Sequence, residues 1–143
     1  IRPGDSHGDI VFWPLLALGE YLIASGDGAL LGESLPFFHP DGEARAEQAP
    51  LRVHVERAFE EIRRKYIDGT RLSSFGHGDW NDALQPVDPA MTRRLCSAWT
   101  TALHYQSLTT LAAGLEAVGD RAWAAELRAD ADAVRGDFLR WLM

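Results

Sequence analysis

The sequence has little or none of several features that define whole classes of protein. Its 143 residues include one cysteine, Cys96, so no internal disulfide can form. No apolar run reaches the roughly 18 residues that a membrane-spanning helix needs, so we expect no membrane partner. A net charge of −7 argues against nucleic acid or an anionic surface as partner. The five histidines lack the spacing of zinc ligands, and no metal site is predicted.

What the chain does contain predicts a folded helical domain. A hydrophobic content of 46% with 24% charged residues is ordinary for one globular domain. No segment shows the alternation of a convincing β-strand, so we expect an all-α fold. Residues Pro36–Pro50 are polar and contain glycine and proline, which predicts a loop. Helices are predicted over about 9–24, 28–33, 51–66, 89–118 and from 121 to the end.

Aspartates and glycines mark the helix boundaries. Gly26 and Gly119 are expected to end helices, and each is followed by an aspartate that caps the next one. This echo between residues 24–29 and 117–122 fits repeated helical hairpins. Pro89 is predicted at a first helical position. The predicted N-caps are Asp9, Asp27, Asp88 and Asp120.

Two further features are interpreted as structural. Cys96 falls in the helical pattern of residues 89–118, and we expect a buried structural thiol there. The mixed charges late in the 51–66 helix form a solvated face, on which Glu60 and Arg64, or Glu61 and Lys65, can pair four residues apart.

The segment at residues 73–82 is the most informative about chemistry. It reads Ser-Ser-Phe-Gly-His-Gly-Asp-Trp-Asn-Asp, and Gly76 and Gly78 free the backbone to turn. An indole can stack on the apolar face of a sugar, and a carboxylic acid can protonate a departing glycosidic oxygen. Two alternatives stay open here: a polar turn braced by Asp79 or Asp82, and a calcium site, although the spacing is not that of an EF-hand loop.

Residues 78–82, Gly-Asp-Trp-Asn-Asp, resemble the motif of the inverting disaccharide phosphorylases of glycoside hydrolase family 94. Softer similarities extend the resemblance from about Asp9 to Phe138. They are Asp-Ile-Val-Phe-Trp-Pro at 9–14, Glu-Tyr-Leu at 20–22, Ser-Gly-Asp at 25–27, Leu-Pro-Phe-Phe at 35–38 and His-Val-Glu-Arg-Ala at 54–58.

The resemblance implies a fold and roles for three residues. The family fold is an (α/α)6 barrel, so residues 1–143 are expected to be a fragment of a single (α/α)6 catalytic domain. The last acid of the motif, Asp82, would be the proton donor, and Trp80 would contact the sugar. Asp79 would either bind sugar hydroxyls or brace the turn, and His77 is interpreted as structural.

The function that the resemblance implies is inverting phosphorolysis of a β-linked glucoside, a disaccharide or β-glucan oligosaccharide, which gives an α-sugar 1-phosphate. Inorganic phosphate is the co-substrate, and no cofactor is expected. The chain would act only within a full-length cytoplasmic glycosyltransferase of carbohydrate metabolism, in which a homodimer is one expectation. Two alternatives remain: a hydrolase or transglycosylase on the same scaffold, and a non-catalytic helical domain of a larger glucan-synthesising or glucan-binding protein.

Overall fold

Four α-helices carry the fold in the part of the chain that the structure describes. The structure is a computed structural model that describes residues 8–39, 41–42, 46–76, 78 and 85–143. None of the helices in those ranges is both long and apolar enough to cross a membrane. The predicted all-α class is confirmed. The helices are α1 (Phe12–Ser25), α2 (Leu51–Arg64), α3 (Ala98–Ala117) and α4 (Arg121–Trp141), with short 3-10 helices over Gly28–Gly32 and Pro89–Arg93.

Helices α1 and α3 lie side by side and run in the same direction. Near their N-termini the ring of Phe12 stacks on His104, with centroids 4.6 Å apart. Further along, a Cβ on Gly19 would lie 2.7 Å from the backbone nitrogen of Leu111. Contacts therefore advance together along both helices, as they do only between parallel helices.

Helices α2 and α4 are also parallel to each other. Arg52 near the start of α2 donates to Asp120 at 2.6 Å, just before α4 begins. About three turns further along both helices, Arg63 of α2 pairs with Asp130 of α4 at 3.4 Å. Helix α4 returns antiparallel to α3, because Thr101 and Tyr105 near the start of α3 line one pocket with Val134 and Phe138 late in α4. Neighbouring hairpins of a helical toroid have this arrangement.

A single apolar core joins the four helices. Helix α2 contributes Val55, Phe59 and Ile62 to it, at spacings of four and three residues that place them on one face of the helix. Tyr66 lies two residues beyond α2 and is half-buried, with its backbone bridged to Ser73. Helix α4 buries Trp123, Leu127, Ala131 and Val134 along one side, whereas Trp141 near its end is 56% exposed.

Three of the four predicted caps are confirmed. The carboxylates of Asp27, Asp88 and Asp120 accept hydrogen bonds from backbone N–H groups two or three residues further on. The cap predicted at Asp9 is wrong. Helix α1 begins at Phe12, with Val11 in the cap position, and the Asp9 carboxylate instead accepts from the indole N–H of Trp13.

The helix predicted over 89–118 is interrupted. Its first turn is a 3-10 helix that ends at Arg93, and α3 starts only at Ala98, where Ser97 caps the backbone N–H of Thr100. In a continuous helix the carbonyl of Leu95 would accept a hydrogen bond from within the helix. Here it accepts one from the backbone N–H of Phe75 instead, at 2.7 Å. Cys96 consequently lies before α3 and not within a helix.

The loop predicted over Pro36–Pro50 is wrong at its two ends. Strands β1 (Ser34–Pro36) and β2 (Gln48–Pro50) form an antiparallel pair in which Leu35 faces Ala49. Strands of three residues are too short for a period of two to show in the sequence.

Of the two ion pairs predicted on the charged face of α2, the pair between Glu61 and Lys65 is confirmed. Lys65 lies 3.6 Å from the carboxylate of Glu61, and Arg64 lies 3.4 Å from the same side chain. These side chains are largely exposed, so the pairs contribute little to stability.

We expect a methyl group at Gly114 to destabilise the fold, because its Cβ would lie 2.7 Å from the carbonyl oxygen of Gly19. Overpacking of this kind costs about 1–3 kcal/mol. Gly136 offers the matched control: it lies inside α4 with nothing within 4 Å of a new Cβ. Urea unfolding should show Gly114→Ala less stable and Gly136→Ala more stable by about 0.5–1 kcal/mol. Equal effects of the two substitutions would contradict this packing.

Candidate functional site

The segment that leads into the Gly-Asp-Trp-Asn-Asp motif is held by backbone hydrogen bonds from two sides. Gly78 accepts at 2.7 Å from the N–H of Gly8, ahead of α1. Phe75 donates to Leu95 at 2.7 Å and Gly76 donates to Thr92 at 3.0 Å, ahead of α3. The approach to the motif is therefore fixed between the starts of the two parallel helices.

Glycine is required where this segment turns. The backbone angle φ is +61° at Gly76 and +128° at Gly78, and residues other than glycine rarely adopt such positive values. The expectation that these glycines free the backbone is confirmed. The residues that carry the predicted chemistry, His77, Asp79, Trp80, Asn81 and Asp82, lie outside the described residues. Their roles stay predictions.

A cluster of one buried carboxylate and two tryptophans lies beside this segment. The indole N–H of Trp13 donates to Asp9 at 3.3 Å, and the carboxyl-bearing residue is only 6% exposed. The ring of Trp13 contacts that of Trp99 across α1 and α3, with centroids 5.9 Å apart. Sequence reasoning assigned Asp9 to a helix cap and missed the pairing of the two indoles, because their contact joins residues far apart in the chain.

Two polar side chains are buried near the same end of the helices without hydrogen-bond partners among the described residues. They are Ser73 and His104. The imidazole of His104 lies between Phe12, on which it stacks, and Tyr66, whose ring centroid is 5.9 Å away. Burial lowers the pKa of His104 to about 3, so this histidine is uncharged at neutral pH. Burial also raises the pKa of the Tyr66 hydroxyl to about 12.

A cleft of about 1190 Å³ opens next to the motif segment. Gly8 and Gly76 line it, as do four cationic side chains, Arg64, Lys65, Arg93 and Arg94. The carboxylates that line it among the described residues are Asp68 and Asp88. In a chain whose net charge is −7, this cleft concentrates positive charge and can attract an anion.

Cys96 does not belong to this chemistry. It is half-buried, and burial raises the pKa of its thiol, so the sulfur stays protonated at neutral pH. A protonated thiol is a poor nucleophile, which agrees with a structural role.

His54 and Arg57 hold the β1–β2 segment on α2: the His54 ring stacks on that of Phe37 with centroids 3.7 Å apart, and Arg57 pairs with Glu47 at 2.7 Å.

Comparison with known proteins finds a relative with a described activity. Over 122 residues the chain is 41% identical to a 1,2-β-oligoglucan phosphorylase of Listeria innocua serovar 6a. The match covers 85% of this chain and 11% of the relative, so the chain spans a small part of the relative's length. No family model matches the chain.

The relative belongs to the enzyme class that the motif predicted. A match of this length in a chain of 143 residues necessarily includes its centre, where residues 77–82 lie. The predicted resemblance is thereby confirmed: most of the chain is similar to a small part of a β-oligoglucan phosphorylase, an enzyme of glycoside hydrolase family 94.

We expect His104 to make stability depend on pH. In the unfolded chain a histidine binds a proton near pH 6.5, whereas the folded chain binds it only near pH 3. The contribution of uncharged His104 to the free energy of unfolding is fully present above about pH 6.5 and is lost as the pH falls toward 3. The slope is at most about 1.4 kcal/mol per pH unit.

Urea unfolding between pH 7 and pH 4 should therefore show a shallower loss of stability in His104→Gln than in the unaltered protein. The control is His39→Gln, which changes a loop histidine that lies against Asp41. A His104→Gln protein that lost stability as steeply as the unaltered one would contradict the assignment.

Proposed function

We propose that the full-length protein is a glycoside phosphorylase that cleaves a β-linked gluco-oligosaccharide with inversion. The observation that carries this proposal is the 41% identity to a 1,2-β-oligoglucan phosphorylase through the centre of the chain. The Gly-Asp-Trp-Asn-Asp motif at residues 78–82 lies within the matched stretch and supports it chemically, because a sugar-cleaving site needs an acid that donates a proton and an aromatic ring that contacts the sugar. The proposal includes a cytoplasmic location.

In the proposed reaction Asp82 is the general acid. Its carboxyl proton passes to the glycosidic oxygen as the bond from that oxygen to the anomeric carbon breaks. An oxygen of inorganic phosphate forms the new bond to that carbon from the opposite face. The products are an α-sugar 1-phosphate and a sugar shortened by one ring, which leaves with the proton.

One carboxyl group suffices for this chemistry. An inverting hydrolase needs a second carboxylate to activate water, about 6.5–9.5 Å from the first. Phosphate is already an anion and needs cationic or hydrogen-bonding groups to hold it instead. Phosphate is the co-substrate, and we propose no further cofactor.

The described residues hold the backbone on the N-terminal side of the motif. Gly8, Thr92 and Leu95 fix the backbone of the preceding segment at distances of 2.7–3.0 Å. A general acid has to stay within hydrogen-bond reach of the oxygen that it protonates, so a fixed backbone favours catalysis. We propose that Trp80 stacks on the sugar in the cleaved position and that Asp79 binds its hydroxyl groups.

We expect cleavage by the full-length protein to require phosphate. Incubated with β-1,2-linked gluco-oligosaccharides, it should release glucose 1-phosphate only when inorganic phosphate is present, because phosphate is the nucleophile. Proton NMR of the product should show the α-anomer. Equal cleavage in the absence of phosphate would refute phosphorolysis and favour a hydrolase on the same scaffold.

We expect Asp82→Asn to lower turnover by about 10²–10⁴-fold, the scale of general acid catalysis, because an amide cannot supply the proton. Asp132→Asn is the matched control, since it removes a carboxylate from the exposed face of α4. Thermal melting of both variants should stay close to that of the unaltered protein. Near-normal turnover by Asp82→Asn would disprove the proposed role.

A further inference from the structure

We propose that Trp13 and Trp99 form an aromatic platform that binds a glucosyl ring of the oligosaccharide beyond the ring in the cleaved position. This inference rests on the proposed function, because it names a further binding site for the same substrate. An oligosaccharide contains several rings, and the motif at residues 78–82 accounts for the ring next to the cleaved bond.

The two indoles present accessible surface at one place. Their centroids are 5.9 Å apart and their planes are inclined by 49°. Trp13 is 47% exposed and Trp99 is 39% exposed, although both project from helices whose other faces enter the core. Indole surface in water is unfavourable, and the apolar face of a pyranose ring can cover it.

The platform is held in one orientation. The indole N–H of Trp13 donates to the carboxylate of Asp9 at 3.3 Å. Asp9 is only 6% exposed, so packing holds its carboxylate in place. Trp13 is therefore held at two points, by its backbone in α1 and by its ring nitrogen. A side chain that is ordered before the ligand arrives loses less entropy on binding.

Both tryptophans lie close along the chain to the residues that hold the motif segment. Trp13 lies five residues after Gly8, whose backbone N–H donates to the carbonyl of Gly78 at 2.7 Å. Trp99 follows Leu95, which accepts from Phe75 at 2.7 Å. Backbone hydrogen bonds therefore join the platform, on both sides, to the residues that precede Asp79 in the chain.

The chemistry around the platform suits a sugar better than another helix. A sugar ring combines an apolar face with hydroxyl groups at its rim, and the platform combines two indole rings with a neighbouring Asp9 carboxylate that is bonded to Trp13 and only 6% exposed. The exposed Trp141 near the end of α4 differs, since the guanidinium of Arg140 lies 4.9 Å from its ring centroid. The relative's named substrate, a β-oligoglucan, has the length that a further site requires.

The test measures binding without phosphate, so that no turnover occurs. The full-length protein is titrated with a β-1,2-linked glucose disaccharide and with the corresponding pentasaccharide, and affinities are measured by calorimetry. Trp13→Ala and Trp99→Ala should weaken pentasaccharide binding about three- to tenfold, the range of aromatic contacts, and leave disaccharide binding unchanged. Trp141→Ala is the control and should change neither affinity.

Trp13→Phe and Trp99→Phe serve if an alanine variant fails to fold. Each keeps a ring, so the loss of pentasaccharide affinity should be smaller, and it should be larger for Trp13, which also loses its bond to Asp9. Circular dichroism and thermal melting establish folding.

A selective loss for the pentasaccharide upholds the platform even if phosphorolysis is not found, and only the proposed function then fails. Unchanged pentasaccharide affinity in folded variants overturns the platform while leaving the proposed function intact. An equal loss for Trp141→Ala also overturns it. Failure of the unaltered protein to bind either sugar overturns both proposals.

Discussion

The close parallel contact of α1 with α3 is the constraint on which the rest of the structure depends. At Gly19 and Gly114 the two backbones approach so closely that neither position has room for a Cβ. This contact sets the N-termini of both helices side by side. The segment Phe75–Gly78 then finds hydrogen-bond partners on both sides, at Gly8 and at Leu95. A wider spacing of the helices would leave one of these bonds unmade.

Polar and aromatic groups collect at that end of the helices. Asp9, Trp13, Trp99 and the glycine turn lie there, next to a cleft with four cationic side chains. The buried end of α1 and α3 is held by stacking of Phe12 on an uncharged His104. A packed apolar base beneath these polar groups is compatible with the proposed binding of a sugar and phosphate.

Local chemistry made several elements predictable. Caps at Asp27 and Asp120 depend on a side chain and a backbone group a few residues apart, so the sequence carries their signal locally. The motif was recognisable because its residues are consecutive. The break before α3 was not predictable, because the carbonyl of Leu95 is taken by Phe75, some twenty residues earlier. The same holds for Asp9, whose carboxylate prefers the indole of Trp13 to a helix N-terminus.

By itself the sequence determined the helical class, most of the caps, the two glycine turns and the kind of chemistry that residues 78–82 suggest. Each of these follows from residues that are neighbours along the chain or that repeat with the period of a helix. Only the tertiary structure decided which helices run parallel, that His104 is buried and uncharged, and that Trp13 meets Trp99. Those features depend on contacts between distant residues, whose energies are set by packing and burial and leave no local pattern.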